Sequence, residues 1–123
     1  SVLLFGNLFS GTNNETGWTY LQSTQQQFYF IQNILIDSNV AYGDGGGPGN
    51  DDGYCMTNPF QCDVLGAFVD RDGVEVCVGW VYANSDPYNV TTLPVMAVDT
   101  GEQYADLLMD GEAPYLKLYD HNR

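Results

Sequence analysis

The sequence predicts an all-β fold: antiparallel sheets in a β-sandwich or jelly-roll-like arrangement, with at most one short helix. Three observations predict it. Runs rich in β-branched and aromatic residues recur along the chain. Gly, Asp and Asn punctuate them at short intervals. No segment sustains an apolar period of 3.6 for more than about two turns.

In chain order, Val2-Leu3-Leu4-Phe5 and Leu8-Phe9 form an apolar lead strand broken by Gly6-Asn7. Residues 27–37 (QFYFIQNILID) read as one long strand. Residues 64–70 and 74–83 are apolar runs either side of Arg71-Asp72-Gly73, and Asp-Gly between such runs is a strong hairpin signal. Residues 92–99 form a further strand, in which Pro94 lacks a ladder donor and so belongs at an edge or a bulge. Residues 114–119 form the last strand. The expected helix is a turn or two within residues 100–109, before Gly111. Residues 41–53 form a loop holding Gly43, Gly45, Gly46, Gly47 and Gly49, either a flexible excursion or a backbone wrapped around a ligand.

The length of 123 residues suits one domain, with residues 1–17 as lead strand and hinge and residues 18–123 as the sandwich. Hydrophobic content of 44% is enough to offset chain entropy, which excludes a disordered chain. Three Lys and Arg face sixteen Asp and Glu, a net charge of −13 that disfavours nucleic acid and anionic membrane surfaces. Charged residues are only 15%, against roughly 25% in ordinary domains, so Asn, Gln, Ser, Thr and Tyr must cover the surface. That composition points to an extracellular or cell-surface protein. No stretch has the length of a membrane span. The short start, without basic residues, is unlike a signal peptide and fits a processed chain.

Cys55 and Cys62 bracket a turn-rich loop that a disulfide could close, while Cys77 in Val76-Cys77-Val78 reads as a buried thiol. Nothing suggests an enzyme. The single His, His121, lies near the C-terminus, where ends fray; there is no nucleophile elbow, phosphate-binding loop or zinc-type cysteine pair. Structural Ca²⁺ is the better chemical expectation, because carboxylates on glycine-rich or turn segments suit an oxygen cage. Its candidate ligands are Asp44, Asp51 and Asp52 in the glycine-rich loop, and Asp70, Asp72 and Glu75 across the hairpin turn. The competing reading is that Asp is simply a good turn residue. Sequons place candidate glycans on Asn14 and Asn89. Trp18 and Tyr20, with polar flanks, are the candidate platform for stacking a sugar ring.

The apolar front of the chain needs a cover. Val2, Leu3, Leu4, Phe5, Leu8 and Phe9 either form the first strand of their own sandwich or complete a neighbour's sheet by β-augmentation. Residues 13–17 would then be the hinge. A head-to-tail contact of that kind does not close and yields a fibre.

Three stretches carry a resemblance. The first is Trp18-Thr19-Tyr20, then Ser23-Thr24-Gln25-Gln26 leading into Phe28-Tyr29-Phe30. The second is Asp63-Val64-Leu65-Gly66-Ala67-Phe68 followed by Cys77-Val78-Gly79-Trp80. The third is Leu93-Pro94-Val95-Met96, Tyr104 and residues 111–120. Together they resemble a β-sandwich module of secreted bacterial and archaeal surface proteins, found beside dockerin-like or sorting modules. The chain is also similar to subunits of extracellular helical fibrils. The resemblance implies a surface β-sandwich without catalysis, and an unpaired Cys77. Such modules run on past the Tyr119-Asp120 pair, whereas this sequence carries an extra apolar strand at its front, as a donor-strand arrangement would. The expected function is therefore a structural subunit of an extracellular filament that polymerises with copies of itself. The alternative is a carbohydrate- or surface-binding module.

Overall fold

The computed structural model describes residues 10–32, 34–86 and 90–121. The expected assembly residues Val2 to Phe9 and the sequon Asn89 lie outside them. The described chain is all-β, with antiparallel sheets and one short helix.

The centre is β6 (Val64–Arg71), flanked by β7 (Val74–Tyr82) and β9 (Tyr115–Tyr119) in the order β7-β6-β9. From Val64 to Val69 every β6 residue is buried, so this stretch is apolar without alternation, and only the charged Asp70 and Arg71 at its end come out of the core. Its turn to β7 is the two-residue Asp72-Gly73 connection, with φ of 55° and 82°, the geometry that matches the twist of a tight hairpin. The pairing places Val64, Gly66 and Phe68 on one face with Tyr82, Trp80 and Cys77. A small hairpin of β1 (Ser10–Thr12) and β2 (Thr19–Leu21) covers that face. Trp18 lies where a Cβ on Gly66 would come within 2.8 Å of its ring, and it meets Phe68 edge-on at 5.1 Å. The Trp80 indole N–H donates to the Gly11 carbonyl, and the Asn13 amide donates to the Tyr82 hydroxyl.

The other face of the central sheet meets β8 (Thr91–Met96), which pairs with β3 (Gln26–Ile31) in a two-stranded sheet. At Gly79 the two backbones approach so closely that a Cβ would lie 2.2 Å from the Pro94 carbonyl. Pro94 thus sits in a strand that ends a sheet, where its missing N–H is tolerated. Leu93, Val95, Met96, Leu107 and Leu108 close this side of the core.

Two sequence expectations are corrected. The strand over residues 27–37 is shorter, because the chain leaves β3 after Ile31 and makes a separate hairpin of β4 (Leu35–Ile36) and β5 (Asn39–Val40). Asp37 and Ser38 form its turn at φ of 50° and 71°, a job short polar side chains can do without glycine. The helix over residues 100–109 is only a 3-10 turn, Glu102–Tyr104. Backbone bonding of Leu108 to Met96 and Val98 draws the rest of that segment alongside the end of β8. The one α-helix among the described residues, α1 (Tyr54–Thr57), spans Cys55 and runs into the cysteine loop instead.

Candidate functional site

The glycine-rich loop is bonded to the body of the domain. Gly45 N–H donates to the Ala83 carbonyl at 3.0 Å, Tyr82 N–H to Gly46 at 2.8 Å and Ser85 N–H to Gly43 at 3.1 Å. The loop is an arm laid along the C-terminal end of β7. Asp44 holds it: one carboxylate oxygen accepts the Gly46 N–H at 2.9 Å and the other the Cys55 N–H at 3.3 Å. The disulfide joins Cys55 to Cys62, and both are fully buried.

Between this arm, β7 and the β3–β8 pair lies a cleft of about 520 Å³. Its walls include Tyr20, Phe28, Pro48, Trp80, Val81 and Pro94, and none of its lining residues carries a charge. In a protein of net charge −13 such a neutral concavity stands apart.

Next to it runs the open side of β3. Among the described residues this strand is bonded on one side only, to β8. Its sequence, QQFYFI, has no charge, proline or glycine, and its alternate residues Phe28 and Phe30 are 54% and 68% exposed. Natural edge strands are usually guarded by charge, proline or a bulge, because unpaired N–H and C=O groups recruit other strands. β3 has none of these guards. The edge strand β9 contrasts with it, since Lys117 stands there and pairs with Glu75 at 2.7 Å. Tyr115 also donates to Glu75. Lys117 and Tyr115 together hold the Glu75 carboxyl below its usual range, and the same contact with Glu75 pushes the Tyr115 hydroxyl up to about 12.

The structure does not gather the expected calcium ligands. Asp51 and Asp52 are exposed turn residues, and the Asp70 carboxylate caps its own turn by accepting the Gly73 N–H at 2.7 Å. Asp72 is exposed at the tip and Glu75 is tied to Lys117. Among the described residues, neither set brings three acidic groups within 4.8 Å of one another. Tyr20, a candidate sugar platform, is 4% exposed, and burial pushes its hydroxyl up to about 12. Trp18 is half-buried against Phe68. Asn14 is exposed in a turn. Cys77 is free, and burial pushes its thiol up to about 11.

One constellation was not expected. His121 does not fray: its backbone N–H donates to Asp63 Oδ1 at 2.9 Å, and its Nδ1 lies 2.6 Å from the same oxygen. Asp63 Oδ2 accepts the Tyr42 N–H at 2.8 Å. Asp120 completes a group whose ligand atoms lie within 4.8 Å, beside a cleft of about 310 Å³. The donors around the buried Asp63 make it an anchor that fastens the end of β9 to the start of β6. The one hint in sequence was an acid placed directly before an unbroken apolar run.

No family model, curated protein or solved structure matches this chain. The likeness to secreted surface modules rests on the residues quoted for it.

Proposed function

We propose that this chain is a non-catalytic structural subunit of an extracellular filament or surface assembly, polymerising by donation of its N-terminal apolar segment to the sheet edge of the next copy. The observation that carries this reading is the unguarded edge of β3: six uncharged residues, bonded on one side only among the described residues, showing Phe28 and Phe30 to solvent. The donor is of matching character. No charged side chain precedes Glu15, and residues 2–5, 8 and 9 are all apolar. Main-chain bonds along the edge would supply affinity, and alternate side chains would supply register. An extracellular location is supported by the Cys55–Cys62 bridge, since such bonds persist in oxidising compartments.

The test is electron microscopy and sedimentation of the purified full chain, with Phe28→Lys beside it. Fibres from the wild type and dispersed particles from the variant are expected. A wild type that stays monomeric at high concentration would refute the reading. A second reading, carbohydrate or surface binding, draws on the exposed, edge-to-face Tyr42–Tyr54 pair near the disulfide loop. Calorimetric titration with a glycan panel decides it, and silence across the panel removes it.

A further inference from the structure

Strand donation leaves open where the donated side chains are buried, and the answer defines the interface. We infer that the neutral cleft of about 520 Å³ between the glycine-rich arm, β7 and the β3–β8 pair is the acceptor groove for residues 2–9 of a second copy of this chain. This rests on the strand-donation reading and names its partner surface.

Three observations point to that occupant. The first is charge. Neither the cleft nor the segment before Glu15 has a charged side chain, so their contact strips no charge of water. Elsewhere two copies of net charge −13 repel. The second is continuity. Phe28 belongs both to the cleft wall and to the open edge strand, so the cleft and β3 share one exposed aromatic residue. The third is where the donor begins. It joins the body at β1, and a Cβ on Gly11 would meet Pro48 at 2.6 Å and Tyr20 at 3.0 Å, both of them cleft residues. The donor of each subunit therefore leaves from the rim of that subunit's own groove, and successive grooves and donors would form one continuous line. Nine extended residues reach about 30 Å, enough to leave one subunit and lie on the next.

Gly47 offers a clean way to test this. Its φ lies outside the left-handed region, and an added Cβ would meet nothing closer than 3.5 Å. A Cβ at Gly47 is therefore tolerated, so Gly47→Phe is a variant chosen to fill the groove from the arm, and Thr92→Trp, on an exposed residue of the same lining, is chosen to fill it from β8. The donor is spoiled on both alternate faces by Leu4→Asp with Phe5→Asp in the full chain. A synthetic peptide of residues 1–12 is then titrated while the emission of Trp80, in the groove wall, is followed.

The wild type should polymerise, whereas the groove-filled and donor-spoiled proteins should stay monomeric with unchanged thermal midpoints. The peptide should saturate the donor-spoiled protein, and adding Gly47→Phe to that protein should weaken binding by about 30-fold or more, as expected when a central interface pocket is blocked. If both groove-filled variants polymerise like the wild type, the groove assignment falls and strand donation stands. If the donor-spoiled protein polymerises, strand donation falls and the groove assignment with it. A monomeric wild type whose own segment protects Trp80 would overturn assembly through a second copy. A Trp80 response to a glycan but not to the peptide would overturn the occupant.

Discussion

The firmest energetic consequence of this structure concerns Arg71 and Glu112. Arg71 closes β6, and its guanidinium grips Glu112 with two parallel bonds of 2.7 and 2.6 Å. The same group donates to the Leu107 carbonyl at 2.7 Å, while Glu112 also accepts the Met109 N–H at 2.9 Å. The clamp fixes residues 107–112 beneath the central sheet. Arg71 above all, and then the Met109 N–H, bring the Glu112 carboxyl down from 4.5 to about 2. At about 1.4 kcal/mol per pH unit that fall corresponds to about 3.4 kcal/mol. The two side chains are 16% and 27% exposed, so water screens part of this. About 2 kcal/mol is a fair expectation for the folded state at neutral pH. Because the folded value is depressed, the contribution is present in full above the unfolded value near 4.5 and disappears as pH falls through about 2. Glu112→Gln should therefore unfold at lower urea than the wild type at pH 7, by about 2 kcal/mol. The two proteins should converge between pH 4.5 and 2. Parallel stability curves down to pH 2 would show that the carboxylate charge is not what the clamp uses.

Other consequences are simpler to check. Replacing Cys55 and Cys62 by Ser opens a short loop and should cost about 2–3 kcal/mol in denaturant titration, with little change in the folded spectrum. Cys77, with its thiol near 11 through burial, should resist iodoacetamide at pH 8 in the native state and react at once in denaturant; rapid native labelling would contradict its burial. Ultraviolet titration of the nine tyrosines should show a late step near pH 12 belonging to Tyr20 and Tyr115, and Glu75→Gln should bring the Tyr115 part forward. Asp63→Ala should release the chain end, seen as faster hydrogen exchange at the Tyr42 and His121 amides, with the β6–β7 hairpin still protected.

What the sequence revealed was local. The Asp72-Gly73 turn, the unbroken apolar run before it and the alternation after it place the β6–β7 hairpin to within a residue or so, because turn chemistry and side-chain period act over a few positions. The failures lie where the deciding partner is distant. Nothing within residues 27–37 marks a break after Ile31, since Asp37 and Ser38 enter the left-handed region without the glycine that would signal it. Nothing within residues 100–109 says that Leu108 will bond to Met96 rather than to its own helix. Asp63 and His121 meet across 58 positions, and no spacing rule encodes that contact. Asp44 likewise accepts the N–H groups of Gly46 and of the more distant Cys55, a partnership that no local spacing announces.

The distribution of the few cations ties these observations to assembly. Arg71 is committed to Glu112 and Lys117 to Glu75, so among the described residues both stand on the β6–β9 side of the molecule. The β3 edge and the cleft beside it carry no charge of either sign. A body of net charge −13 repels its copies over most orientations, and that repulsion reaches about 8 Å at physiological ionic strength. Copies can come together most closely where that repulsion has no local source. Under the proposed assembly, the acidic surface would work as a filter on orientation, and the neutral strip would be a face at which apolar burial meets little repulsion. Under the proposed assembly, a guard residue such as lysine on β3 would make the monomer more soluble and would also place charge in the neutral strip that the contact would use.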